Sequence, residues 1–208
     1  MSHTTTQKGN FAATVLSNRK IGECFWRMDL EFTGDGARAF AGFQPGQFLQ
    51  IDVSQVGLPP EDRIPPHLRD ACKRNVLLRR PFSFADVTAE THRTTAELLY
   101  CVLGPASVRL TTLATGDSAS ILGPLGNGFS VPQGKHLALL VVGGMGAPPI
   151  RCLAKHLCAE YPQMRAVAFV GALAGGTYSG GITGVVVPFG IAIALQFVPF
   201  FWSEEADP

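Results

Sequence analysis

Two hydrophobic periods divide the chain. Up to about residue 132, apolar and polar positions alternate in short stretches, as in half-buried strands. Residues 11–16 and 25–32 predict two strands, the second alternating from Phe25 to Phe32. Gly34-Asp35-Gly36 is a turn signal. Gln44-Pro45-Gly46 is a tight turn feeding a third strand, with Phe48 and Gln50 on the face opposite Leu49 and Ile51. Residues 54–75 break the pattern: Pro59-Pro60, Pro65-Pro66 and seven charged residues predict an excursion loop, with a short helical turn over 67–72. His67, a lone histidine in that polar loop, reads as surface. Strands resume over 77–87, 94–103 and 118–122, interrupted by Gly104-Pro105, a short helical turn over 108–114 and Gly116-Asp117. Many short strands without long helices predict an antiparallel barrel or sandwich.

The period then changes. Residues 136–142 are a continuous apolar run, as in a buried parallel strand. They lead into Gly143-Gly144-Met145-Gly146-Ala147-Pro148-Pro149, then a helix over 150–160 with Ile150, Leu153, Ala154 and Leu157 on one face. A second apolar strand covers 167–170. Strand, glycine loop, helix and strand make an α/β unit, so the expected division is residues 1–132 and 133–208. Ala166 to Trp202 holds no charged residue in 37 positions, and 182–202 is long enough on paper to span a bilayer. Gly184, Pro188, Gly190 and Pro199 and the lack of a basic flank weigh against a span, so membrane contact is not expected. Buried strands, a membrane anchor and a shifted coding frame all stay open as readings of 173–208.

The chain has 208 residues, 46% hydrophobic and 16% charged, with a net charge of +1. That balance gives no general affinity for nucleic acid or an anionic membrane. Five scattered cysteines with no C-x2-C pair argue against a disulfide framework, a zinc site or an iron–sulfur site, and fit a reducing cytoplasm. Met1 to Asn10 is polar and shows no secretory signal.

The chemistry concentrates in four places. In Leu77-Leu78-Arg79-Arg80-Pro81-Phe82-Ser83-Phe84, a guanidinium and a hydroxyl three residues apart flank a proline–aromatic pair, and both can reach one bound anion. Gly104-Pro105-Ala106-Ser107 offers a hydroxyl and backbone donors at the start of a helical turn. Gly123-Pro124-Leu125-Gly126-Asn127-Gly128-Phe129 is rigid and glycine-dense, as a barrel corner would be. Gly143, Gly144 and Gly146 put backbone N–H groups and a helix start where a phosphate could sit, without the G-x-G-x-x-G pattern. Solvated arginines, corners and caps account for each stretch singly; the four in this order are harder to reach by chance.

That order resembles the ferredoxin–NADP reductase superfamily. Arg80, Pro81, Phe82 and Ser83 match its Arg-x-aromatic-hydroxyl motif, residues 104–107 its phosphate turn, and Gly143, Gly144, Gly146 and Pro149 the opening of its nucleotide domain. Ala106 replaces a glycine of that turn, and Pro148 an alanine. Within the superfamily, residues 45–48, 79–83 and 123–129 look most like the electron-transfer subunits of NAD-linked bacterial dihydroorotate dehydrogenases. The resemblance runs over residues 11–172. It implies an N-terminal antiparallel Greek-key β-barrel that binds flavin, followed by an incomplete α/β nucleotide-binding domain. It implies FAD held by Arg80 and Ser83, lined by Pro81 and Phe82 and flanked by Leu99, Tyr100, Cys101, Ala106 and Ser107. Gly143, Gly144 and Gly146 would face NAD, and the partner would be a catalytic dihydroorotate dehydrogenase subunit of pyrimidine biosynthesis. The family also carries a C-x4-C-x2-C…C segment for a 2Fe–2S cluster, which nothing in this sequence matches. A stand-alone NAD(P)H–flavin reductase, a hydrogenase-associated subunit and a non-catalytic or membrane-tethered remnant are the rival readings.

Overall fold

A computed structural model describes residues 8–171. The predicted transmembrane-length stretch and the rest of the uncharged tail beyond residue 171 lie outside the described residues. No helix among the described residues is long and apolar enough to cross a membrane.

Six strands form a closed antiparallel barrel: β1 (Gly9–Lys20), β2 (Phe25–Thr33), β3 (Phe48–Asp52), β4 (Arg80–Ala89), β5 (Arg93–Cys101) and β6 (Ser118–Leu125). Their order around the barrel is β1-β2-β5-β4-β3-β6, with β1 pairing β6 to close it. Closure leaves no unpaired edge, so each backbone donor and acceptor row meets a partner. The alternation that the sequence predicts for β3 is observed: Leu49 and Ile51 are buried, while Phe48 and Gln50 are partly exposed. Along β5, Thr94, Ala96, Leu98 and Tyr100 point inward.

Gly34-Asp35-Gly36 does not form a simple turn. Gly34, at φ +55°, leads directly into helix α1 (Gly34–Ala41). Three of its buried residues, Ala37, Ala39 and Phe40, follow a helical spacing across too short a stretch to stand out against the strands around it. Helix α1 packs on β5, β2, β4 and β1 and closes one end of the barrel. Phe40 stacks on Phe32 at 4.0 Å between ring centroids and meets Phe11 and Phe84 edge-on. Thr94 donates its hydroxyl hydrogen to the Ala37 carbonyl at 2.9 Å, satisfying a polar group in this otherwise apolar plug.

The excursion over 54–75 contains the short helix α2 (Arg69–Cys72), near where the sequence predicts one, and Ile64, Leu68, Cys72 and Val76 anchor it to the barrel core. The strand predicted from residue 77 starts later, at Arg80. Strand β3 is only five residues long, and its Ile51 is the last position opposite β4, so Leu77 and Leu78 have no strand to pair with and stand 82% and 71% exposed. The helical turn predicted over 108–114 begins earlier, as α3 (Pro105–Leu110), because Pro105 suits the first position of a helix. Asn18 holds the end of α3 by donating to the Leu110 and Leu113 carbonyls at 2.8 and 2.9 Å.

Beyond the barrel, β7 (Leu137–Gly143) and β8 (Arg165–Gly171) pair in parallel, joined by α4 (Ala147–Glu160). Leu140, Leu153 and Leu157 form a small second core with Ile150 and Ala154 against it, on the helix face predicted from sequence. The expectation that β7 is buried throughout is corrected: Leu137, Leu139 and Val141 are 52%, 61% and 63% exposed. The reason is that, of the described residues, α4 covers only one face of the pair.

Phe40→Ala removes the ring on which three other aromatic residues pack, so it should cost about 3–5 kcal/mol in unfolding free energy by chemical denaturation. Leu77→Ala, at an exposed site, should stay within about 0.5 kcal/mol of the parent chain.

Candidate cofactor cleft

The two arginines that open the β4 stretch have different surroundings. Arg79 donates to the Ser120 carbonyl and hydroxyl, both at 3.0 Å, and lies 3.6 Å from the Asp52 carboxylate. It therefore braces β4 against β3 and β6. Arg80 is exposed, and no hydrogen bond or ion pair holds it among the described residues. Its guanidinium is available to an external anion.

The register from Arg80 to Ser83 is unbroken against β3, so side chains alternate between the two faces. Phe84 is in the core, which sets Phe82 and Arg80 on the inward side at the end of the barrel. Phe82 packs on the core and meets Tyr100 edge-on at 6.2 Å. Pro81, Ser83 and Ala85 face outward. The same alternation along β5 turns Glu97, Leu99 and Cys101 outward and Tyr100 inward. Arg80 and Ser83, expected to share one anion, thus leave opposite faces of the strand, and a ligand touching both must pass over its end.

The outer face of β4 and β5 is where α4 docks. Ala85 is 1% exposed. Arg151 of α4 donates to Glu97 at 2.8 Å, and Arg27 lies 3.2 Å from the same carboxylate. One turn on, Lys155 donates to Asp86 at 2.6 Å. Cys152 sits between these contacts; burial first, then the Asp86 charge, pushes its thiol up to about 12. The 3-10 turn of Gly144–Gly146 comes against β5. The structure therefore puts Pro81, Ser83, Leu99 and Cys101 on the outer face of β4 and β5, the face on which α4 docks, with the glycine turn against β5.

Two glycines of that turn are required for different reasons. Gly144 has φ +53°, in the left-handed region. A Cβ on Gly146 would come within 2.8 Å of Val142 Cγ2. Gly143 is extended, at φ −138°, and could be another residue on conformational grounds.

Two of the predicted site residues have their side chains engaged within the protein. Tyr100 is 1% exposed and its hydroxyl donates to Asn18 Oδ1 at 3.0 Å. Burial raises its ionisation far above the ordinary tyrosine range. Only its backbone can face a ligand. Ser107 spends its hydroxyl locally: it accepts from the Leu103 and Gly104 amides at 3.0 and 3.2 Å and donates to the Gly104 carbonyl. This is a helix cap, and the helix is only six residues long. Ala106, beside it, is buried.

The turn over 123–129 folds onto the turn over 44–47. Phe129 N–H donates to the Pro45 carbonyl at 2.7 Å, and Gln47 Nε2 to the Gly126 carbonyl at 3.3 Å. Gly46 and Gly126, at φ +102° and +76°, each have an aromatic ring where a Cβ would sit, Phe129 and Phe48 respectively. The two motifs are explained by packing on each other. An open hollow of about 400 Å³ beside Arg79 is lined by Asp52, Asp117 and Ser120; two carboxylates make it a poor seat for a diphosphate. Among the described residues, no group of three His, Cys, Asp or Glu side chains could hold a metal.

Sequence reasoning did not identify Glu97, Arg151, Asp86 and Lys155. The available signal was one glutamate inside the apolar run from Ala96 to Leu103.

No protein-family model matches the chain. It is 38% identical over 146 residues to the dihydroorotate dehydrogenase B (NAD(+)) electron transfer subunit of Bacillus pumilus, covering 69% of this chain and 48% of that protein. It is 37% identical over 156 residues to the subunit of the same name from Streptococcus mutans, covering 74% and 51%. The chain thus spans about half the length of the curated relatives it matches. Among solved structures, a cytochrome P450 reductase from Amycolatopsis aligns with TM-score 0.57 at 24% identity, over 81% of this chain and 44% of that one. Phthalate dioxygenase reductase, described as passing electrons from pyridine nucleotides to a 2Fe–2S centre, aligns with TM-score 0.52 at 20% identity, over 79% and 43%. These likenesses show a ferredoxin reductase-like fold.

Glu97→Gln should loosen α4 from the barrel by about 1.5–3 kcal/mol, the worth of a charged hydrogen bond. Amide hydrogen exchange over 147–160 should accelerate about 10-fold or more, with the barrel strands unchanged. Lys155→Ala, at a 62% exposed side chain, should cost less than about 1 kcal/mol.

Proposed function

We propose that this chain, a member of the ferredoxin reductase-like superfamily by its fold and its relatives, is the flavin-carrying reductase part of a dihydroorotate dehydrogenase B electron transfer subunit. The observation that carries the reading is Arg80: an exposed guanidinium without a side-chain partner among the described residues, at the start of a strand whose outer face packs on α4. Arg79, one residue earlier, is fully engaged and cannot serve.

The residues present suit FAD. Arg80 offers a planar fork of donors to the diphosphate. Pro81, Ser83, Leu99 and Cys101 give an uncharged wall, with the Ser83 hydroxyl as its polar group, which suits a planar ring system. Phe82 and Tyr100 stiffen that wall from behind through their edge-on contact. The amides of Ala106 and Ser107, in the first turn of α3, are the other donors available to the diphosphate. When bound, FAD supplies the chemistry of accepting a hydride and releasing single electrons. The chain binds and orients it, and α4, clamped to Glu97 and Asp86, packs on the same outer face of β4 and β5.

Gly144 and Gly146 hold the turn close to β5, which suits a nicotinamide dinucleotide approaching from the α/β side. The division of the chain falls near residue 132 in this reading, with 133–208 belonging to the nucleotide-binding unit. The partner is the catalytic dihydroorotate dehydrogenase subunit, with the cytoplasm as its compartment. Among the described residues, no group of three His, Cys, Asp or Glu side chains could hold an iron–sulfur cluster.

Purified chain should carry flavin absorbance, and Arg80→Ala should weaken FAD binding by about 1.5–3 kcal/mol, roughly 10- to 150-fold in Kd, without lowering the Tm of the flavin-free protein. Titration of apoprotein with FAD, followed by fluorescence quenching, measures this. A colourless protein that takes up no added FAD overturns the reading. Co-purification with a dihydroorotate-oxidising subunit tests the partner separately and distinguishes it from a stand-alone flavin reductase.

A further inference from the structure

We propose that Cys24 and Cys101 form a reversible disulfide, making the outward end of the β2–β5 pair a thiol modification site. The two sulfurs are 2.9 Å apart, with the Cys101 thiol donating to Cys24 Sγ. A covalent bond needs about 2.05 Å, so closure takes a movement of under ~1 Å. The backbone is already set for it. Phe25 is opposite Cys101 in the register, and the Val102 amide donates to the Cys24 carbonyl at 2.8 Å. Cys24 lies one residue outside the paired segment, in the bend before β2, so its side chain is not held to the face that regular pairing would give it and can reach Cys101. Cys24 ends the turn before β2, where Ile21 N–H reaches back to the Phe25 carbonyl. A small side-chain rotation there disturbs no core packing.

The other cysteines are placed differently. Cys72 and Cys152 are buried, and Cys158 is exposed on α4. Cys24 and Cys101 are both partly exposed, so a small oxidant reaches them. Burial first, then its neighbour's sulfur, pushes the Cys101 thiol up to about 12. The Cys101 thiol donates to Cys24 Sγ, an arrangement that favours attack by Cys24 with Cys101 as the resolving sulfur.

The oxidant class is a low-molecular-weight disulfide such as oxidised glutathione. Cys24 gives its proton to water and attacks one sulfur of that disulfide, whose S–S bond breaks and releases one small thiolate. Cys101 then gives up its proton and attacks Cys24 Sγ, displacing the second small thiol. Two protein thiols lose two electrons and two protons, and the small disulfide becomes two thiols. The reverse exchange restores the pair. This matches the transient disulfides of reducing compartments and does not need a structural framework.

Cys101 also belongs to the wall proposed for flavin, so the test is a mass measurement made with and without added FAD and does not read flavin binding. The native full-length chain is incubated with oxidised glutathione, quenched in acid, and digested without reduction. The expected product is a single linked peptide joining Cys24 and Cys101, absent after dithiothreitol. Cys158 takes up glutathione on its own and is read as a separate adduct. In Cys101→Ser, Cys24 should be trapped as the glutathione mixed disulfide; in Cys24→Ser, Cys101 should remain a free thiol. Persistence of both thiols in the parent chain, a link to any other cysteine, or an unresolved glutathione adduct on Cys24 with Cys101 present overturns the proposal.

Discussion

The alternation of side chains along β5 is the constraint on which the rest depends. A strand in a closed barrel has one face in the core and one outside, and each residue must choose. On β5, Ala96, Leu98 and Tyr100 go in, and Glu97, Leu99 and Cys101 go out. The inward set meets Phe84 and Met28 from the neighbouring strands and completes the core. The outward set supplies the docking carboxylate for α4, the outer-face residue Leu99 and one half of the close sulfur pair. A one-residue slip of register would exchange these sets and lose core, clamp and cleft together.

The clamp is electrostatic but not a surface decoration. The Glu97 side chain is only 10% exposed and is flanked by Arg27 from β2 and Arg151 from α4. A carboxylate this buried needs both partners, because an unpaired charge there would be strongly disfavoured. The result ties the helix that follows the glycine turn to β5. The position of that turn relative to the barrel then follows from one carboxylate and two guanidinium groups, with Ala85 packed beneath the helix.

Several motifs that look chemical in the sequence also have structural work within the fold, and the physical reason is local. Ser107 caps its own helix, so its hydroxyl is consumed within four residues. The glycines at 46 and 126 make room for Phe129 and Phe48. Arg79 and Arg80 are identical in type and adjacent, yet one braces three strands and the other is exposed. Residue identity cannot separate them, because the difference lies in Asp52 and Ser120, one on each of two other strands.

The sequence by itself determined the strand set of the barrel, the parallel β-α-β unit, the face of α4 and the two linked turn motifs, because these follow from short-range periodicity and from glycine and proline positions. It also supplied the family resemblance. Helix α1 was hidden, since eight residues carry too few turns to display a period, and the start of β4 was misread, since strand ends are set by the length of the partner. What only the tertiary structure decided was which neighbours meet: Glu97 with Arg151 across 54 positions, Cys24 with Cys101 across 77, and Arg79 with Ser120 across 41. Such pairs are fixed by barrel closure and strand order, which no local window of sequence contains.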